Sequence, residues 1–143
     1  MGRCQKFLRL TTVERLLLVK AALLLALVRV GLWLLPYRTV RRAVILLATF
    51  IRLPLAERHS IEQLTWAVHV ARRLVPEATC LTQALALEVL LQRAGFPVCL
   101  RVGFAKGADN QVQGHAWVES GEKVVLGGDE IERYAVLPVR RTR

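Results

Sequence analysis

The sequence predicts an α+β fold in which helices come first and a small antiparallel sheet follows. Apolar residues recur at helical spacing as far as Leu91, and from Val98 onward the pattern alternates and favours strand formers. Two capping boxes, Thr11 with Glu14 and Ser60 with Gln63, announce helix starts. Turn signals at Ser120-Gly121 and Gly127-Gly128 cut the C-terminal part into short strands. Residues 1–59 read as a basic, leucine-rich helical region and residues 60–143 as the remaining core. At 143 residues the two are expected to form one compact unit.

Taken in order, residues 1–10 are a short basic arm carrying Phe7, Leu8 and Leu10. Thr11 then opens a leucine-rich helix to about Leu35. Lys20 and Arg29 interrupt it, so its uncharged runs, Ala21–Val28 and Val30–Tyr37, fall far short of the roughly twenty residues a membrane span needs. A signal peptide fits no better, for lack of a small-residue cleavage site. A buried or partner-covered helix is the first expectation and an interfacial helix at a membrane the second. Pro36 suits the first turn of another helix, which Thr39 to about Ile51 continues and Pro54 closes. Arg38, Arg41 and Arg42 crowd its start, the unfavoured end of the dipole, as an acidic partner surface would explain.

From Ser60 a third helix presents Ile61, Leu64, Val68, Ala71 and Val75 on one face and ends before Pro76. Trp66 lies off that stripe and is read as core packing. His59 and His69 have no partner at ligand spacing and read as surface or cap residues. The fourth helix starts at Cys80 and stops at Gly95-Phe96-Pro97. Val98 to Phe104 alternates as a strand in which Cys99 is a small buried residue. Lys106 to Val112 is a polar loop, and a hairpin holding His115 returns through Lys123 to Leu126. Taking Ser120-Gly121 as the two-residue loop places His115 opposite Leu126. Tyr134 to Leu137 adds a last strand, and the basic tail 140–143 frays.

Composition limits the classes of function. A hydrophobic fraction of 54% is high for a freely soluble monomer, so some apolar surface should be covered by a partner or a membrane face. Residues 1–75 hold thirteen Lys/Arg against three Asp/Glu, which accounts for the whole net charge of +10. Such a block attracts nucleic acid, anionic lipid or an acidic protein alike. Aromatics are few and no nucleic-acid motif is recognisable, which argues against nucleic acid. Three cysteines, Cys4, Cys80 and Cys99, make neither a disulfide framework nor a zinc cluster, and a reducing cytoplasm follows as the default location. With no Gly-rich phosphate loop and no metal cluster, no cofactor is expected.

Cys80, at the first turn of its helix, meets free backbone N–H groups and the positive end of the dipole, both of which favour the nucleophilic thiolate. His115 is the candidate base, and Asp129, past the returning strand, the candidate orienting carboxylate, with Glu130 in reserve. Asp129 reaches the imidazole only if Gly127-Gly128 bends the chain back. The Cys80 N–H is a natural oxyanion donor. The competing reading is a non-catalytic basic helical module, binding protein, membrane or nucleic acid, in which Cys80 and His115 are merely structural.

Cys80-Leu81, Ala84-Leu85-Ala86-Leu87, Leu90 to Gly95, Val102-Gly103, His115-Ala116-Trp117-Val118-Glu119 and Val124 to Gly128 together resemble the transglutaminase-like cysteine proteases of lasso peptide biosynthesis. More narrowly, the chain is similar to the stand-alone protease of systems whose leader-binding domain is a separate protein. The likeness covers roughly residues 60–137. It implies a transglutaminase/papain-like core after the helices, with Cys80 and His115 catalytic. The family's Asp lies on the strand after the histidine, where Gly127 stands nearest and Asp129 follows two residues later. The implied activity is removal of the leader from a precursor peptide. The implied partners are that leader, a separate leader-binding protein and an ATP-dependent, asparagine-synthetase-like cyclase. Acyl transfer, as in transglutaminases, is the enzymatic alternative on the same residues.

Overall fold

Both capping boxes form. Thr11 Oγ1 accepts the Glu14 N–H at 3.3 Å while Glu14 Oε2 accepts the Thr11 N–H at 2.9 Å, and Ser60 and Gln63 repeat the exchange at 3.2 and 3.0 Å. The chain is seen here as a computed structural model that describes residues 10–50, 59–128 and 131–136. Residues 1–9 of the N-terminal arm, Ile51, Pro54, Asp129, Glu130, Leu137 and the basic tail lie outside the described residues.

Helix α1, Thr12–Leu34, runs unbroken through Lys20 and Arg29 and buries Leu17, Leu18, Ala21, Leu25 and Val28. Its other side shows Leu16, Val19, Leu23, Leu27, Val30 and Trp33 to solvent, Trp33 at 76%. Among the described residues α1 is the one helix long and apolar enough to cross a membrane by length and composition, with a mean hydropathy of 2.2. Its charges interrupt the apolar runs without interrupting the helix. Leu35, extended before Pro36, ends it.

Helix α2, Tyr37–Phe50, starts on the Pro36 carbonyl, which accepts from Thr39 and Val40. Helix α3, Ile61–Ala71, stops four residues before the expected boundary. There the chain tightens into single turns, Arg73 N–H to Val70 and Leu74 N–H to Ala71, in place of another α-helical turn. Trp66, off the buried stripe of Leu64, Ala67, Val68 and Ala71, is 37% exposed and does not join the core as expected. His69 is exposed in the last turn of α3.

Helix α4, Cys80–Arg93, is the axis of the core, buried without interruption from Thr82 to Leu91. Helices α1, α2 and α3 pack on it, and the sheet covers its remaining side. One apolar cluster runs from Leu17 in α1 to Val118 in the sheet, so the leucine-rich helices and the catalytic-looking half share a core.

Strands β1 (Cys99–Lys106), β2 (Val112–Ser120), β3 (Lys123–Leu126) and β4 (Ala135–Val136) form one antiparallel sheet in the order β3-β2-β1-β4. Cys99 is half-buried rather than fully enclosed. The β2–β3 register differs from the expected one. The loop residues are Gly121-Glu122, with Gly121 at φ 63, as a turn of the II′ kind needs at its first central position. Ser120 therefore pairs with Lys123, and a bulge beyond Glu119 sets Val118, not His115, opposite Leu126.

Gly103 in β1 faces His115 across the ladder, and a Cβ there would lie 2.8 Å from the Tyr134 Cβ and 3.1 Å from the Trp117 ring. Gly103→Ala is therefore expected to push Tyr134 and β4 off the sheet and to cost about 1–3 kcal/mol, the usual range for overpacking. Urea unfolding of the full chain measures it.

Candidate active site

Thr79 is the N-cap of α4. Its hydroxyl accepts the Thr82 N–H at 3.3 Å and its carbonyl the Gln83 N–H at 3.0 Å. The N–H groups of Cys80 and Leu81, at the first two helical positions, have no partner within the helix. Gln83 fixes the approach to the cap by donating to the Ala78 carbonyl at 3.0 Å. Upstream, Glu77 sits at φ 57 and pairs at 2.6 Å with Arg29 of α1, tying the first helix to the loop that delivers Cys80.

Cys80 and His115 line one cavity of about 400 Å³, together with Tyr37, Thr79, Leu81, Val102, Phe104, Gly114 and Ala116. The two residues are thus brought to a common space across thirty-five positions of sequence. No hydrogen bond joins them among the described residues. The lining is almost wholly apolar, which suits chemistry on a desolvated peptide bond.

The rest of His115-Ala116-Trp117-Val118-Glu119 has structural work. Ala116 and Val118 enter the helix-packed core. Trp117, 2% exposed, stacks on the His115 ring with centroids 6.0 Å apart. Glu119 accepts from Trp117 Nε1 and from Arg101 Nε, both at 3.0 Å, locking β2 to β1. This ion pair raises the Arg101 guanidinium above its ordinary value.

The imidazole itself is held by two groups the sequence did not point to. His115 Nε2 lies 2.7 Å from the Gly127 carbonyl oxygen, which can only accept, so Nε2 carries the proton. In the neutral ring Nδ1 is then the lone-pair nitrogen, free to act as a base. Tyr134 stacks on the ring at 5.0 Å. Asp129 and Glu130, the carboxylates expected in the orienting role, lie outside the described residues.

Tyr37 is the other residue that sequence reasoning missed. It stands in the cavity wall although it belongs to α2, in the region set apart as N-terminal helices. Its phenol is raised by burial and by nearby Glu88, against the opposing pull of Arg41. Arg41, one turn on, meets Glu88 of α4 at 3.4 Å. For Arg41 at least, the acidic surface explaining the basic cluster at the start of α2 lies inside the chain.

The transglutaminase-like superfamily matches residues 22–139, which takes in most of α1, all of α2–α4 and the four strands. No curated protein and no solved structure matches the chain.

Proposed function

The chain belongs to the transglutaminase-like superfamily, whose members are commonly cysteine peptidases or transglutaminases, and on that premise we propose that it is a thiol peptidase removing the leader from a lasso precursor peptide. The observation that carries the chemistry is the shared cavity of Cys80 and His115, with the thiol at the start of a buried helix.

In the proposed reaction His115 Nδ1 takes the Cys80 proton, and Sγ attacks the carbonyl of the scissile bond. The oxyanion is met by the Cys80 and Leu81 N–H groups. The imidazolium returns its proton to the leaving amine as the C–N bond breaks, leaving a thioester on Cys80. Water, deprotonated by the same nitrogen, adds to the thioester and releases the leader acid with the thiol restored.

The precursor chemistry rests on the resemblance of the Cys-Leu helix and the His-Ala-Trp-Val-Glu strand to the lasso proteases. In such a system a separate leader-binding protein presents the leader, and an ATP-dependent cyclase of the asparagine-synthetase type uses the freed amine. A cytoplasmic location follows from this reading. The exposed apolar side of α1 and the basic N-terminal half supply surface for docking to those proteins or, peripherally, to a membrane.

Mass spectrometry of full-length protein, leader-binding partner and precursor tests the reading. Two fragments whose masses sum to the precursor plus one water support it. An intact precursor overturns it, and incorporation of an added amine in place of water assigns acyl transfer instead.

A further inference from the structure

We propose that Phe104 and Gly114 set the substrate class of the site: an uncharged, apolar side chain beside the scissile bond lies on the Phe104 ring, in the room that Gly114 leaves open. Both are then specificity-determining residues, and the inference rests on Cys80 being the nucleophile of the proposed reaction.

The sheet builds this place by running past the helix it carries. Leu100 and Val102 of β1, paired with Val118 and Ala116 of β2, belong to the core around α4. Side chains alternate along a strand, so Phe104 comes next in that row on the same face. What α4 presents here is its first turn, Cys80 and Leu81 with the cap Thr79, and these residues share the cavity of about 400 Å³ with Phe104. Phe104 remains 42% exposed, a large apolar ring at the edge of the space that holds the thiol.

Opposite Phe104 stands Gly114. A glycine inside a strand weakens it and often marks the close approach of a ligand. Gly103 and Gly127 are bare for reasons internal to the fold: a Cβ would lie 2.8 Å from the Tyr134 Cβ in the first and 2.9 Å from the Ala116 carbonyl oxygen in the second. A Cβ on Gly114 would meet only the edge of the Phe104 ring, at 3.4 and 3.6 Å, which is ordinary van der Waals contact. Nor does Gly114 have a positive φ. Packing among the described residues thus tolerates a side chain at 114, and what it would fill is the cavity that Gly114 lines.

The lining decides the chemistry of the occupant. None of its described residues is Lys, Arg, Asp or Glu, so a charged side chain would give up its water there without a counter-charge. An apolar side chain gains by leaving water and needs no hydrogen bond from the ring it rests on.

The test measures kcat/KM of the full chain, with the leader-binding partner, on precursors carrying Ala, Leu or Glu at each residue flanking the cleaved bond. At one of the two positions Leu should exceed Glu by about a hundredfold or more. Gly114→Val and Phe104→Ala should each lower the Leu-over-Ala ratio about tenfold, and Gly114→Ala should lower it by less, should valine disturb the strand. Cys80 gives a second readout that needs no precursor. N-benzylmaleimide and N-(2-hydroxyethyl)maleimide are both neutral, so the net charge of the protein favours neither. Relative to their rates with glutathione, Cys80, followed by peptide mapping, should prefer the benzyl reagent about tenfold, and Gly114→Val should remove the preference. Equal cleavage of Leu and Glu precursors at both positions overturns the proposal, as do unchanged ratios in the Gly114 and Phe104 variants or the absence of a benzyl preference at Cys80. If wild-type protein cleaves nothing, the functional reading fails, while the reagent ratio still decides whether the thiol lies beside an apolar subsite.

Discussion

Cys80→Ala is expected to remove precursor cleavage almost completely, by at least about 10⁴-fold in kcat, because the covalent route vanishes with the sulfur. The loss should come with an intact fold. Cys80 is half-buried at the first turn of α4, and the cap that starts the helix belongs to Thr79, whose bonds to Thr82 and Gln83 do not involve the thiol. Cys80→Ser should fare little better, since a hydroxyl is a poorer nucleophile than a thiolate. Cys99 is the control: it is also free, sits half-buried in β1 and lies away from the cavity lining, so Cys99→Ala should cleave at close to the wild-type rate. Precursor mass against time, with circular dichroism of each variant, checks all three. Cleavage surviving in Cys80→Ala would assign the activity elsewhere.

Arg41→Ala is expected to destabilise the protein by about 3 kcal/mol near neutral pH, the lower end of the range for stranding a buried charge. Glu88 is 6% exposed on the central helix, and its second carboxylate oxygen has no hydrogen-bond partner among the described residues, so Arg41 is its compensation. Burial raises the Glu88 carboxyl above its ordinary value, and the Arg41 guanidinium pulls it part of the way back. With the folded value above the unfolded one, the native state binds more protons in the window between them. Stability therefore falls as pH rises through that window. Removing Arg41 takes away the lowering influence and extends the upper edge of the window to higher pH. The penalty should shrink as pH falls through the window, where the carboxyl in the variant takes up a proton and needs no counter-ion. Urea midpoints over a series of pH values measure this, and Arg41→Ala combined with Glu88→Gln should recover most of the loss.

What the sequence made legible was what is decided locally. The Thr11/Glu14 and Ser60/Gln63 boxes lie within three residues of their partners, and both helix starts fell where the boxes put them. The start of α4 at Cys80 was equally readable, being set by Thr79 and the apolar period that follows. The strands were found, yet the β2–β3 register was not. A bulge beyond Glu119 depends on how the returning strand meets Trp117 and His115, and nothing within the hairpin's own sequence signals it. Trp66 was misplaced because one helix's stripe does not reveal which neighbours cover its edges. Tyr37 and Tyr134 reach the site from segments about 40 residues before Cys80 and about 20 after His115, so no spacing rule singles them out. A backbone carbonyl as the partner of His115 leaves no trace in residue identity, apart from the glycine that bears it.

Tyr37 and Arg41 stand one turn apart on α2, the first in the wall of the cleft and the second paired with Glu88 on the helix that begins at Cys80. Helix α2 is thus masonry of the chamber that Cys80 and His115 line. A gene fragment beginning after α2 would encode a protein with one side of that chamber missing and an acid stranded in its interior. Recombination between relatives can preserve the cleft only where the segment spanning residues 37–41 and the helix bearing Glu88 are inherited as a matched set.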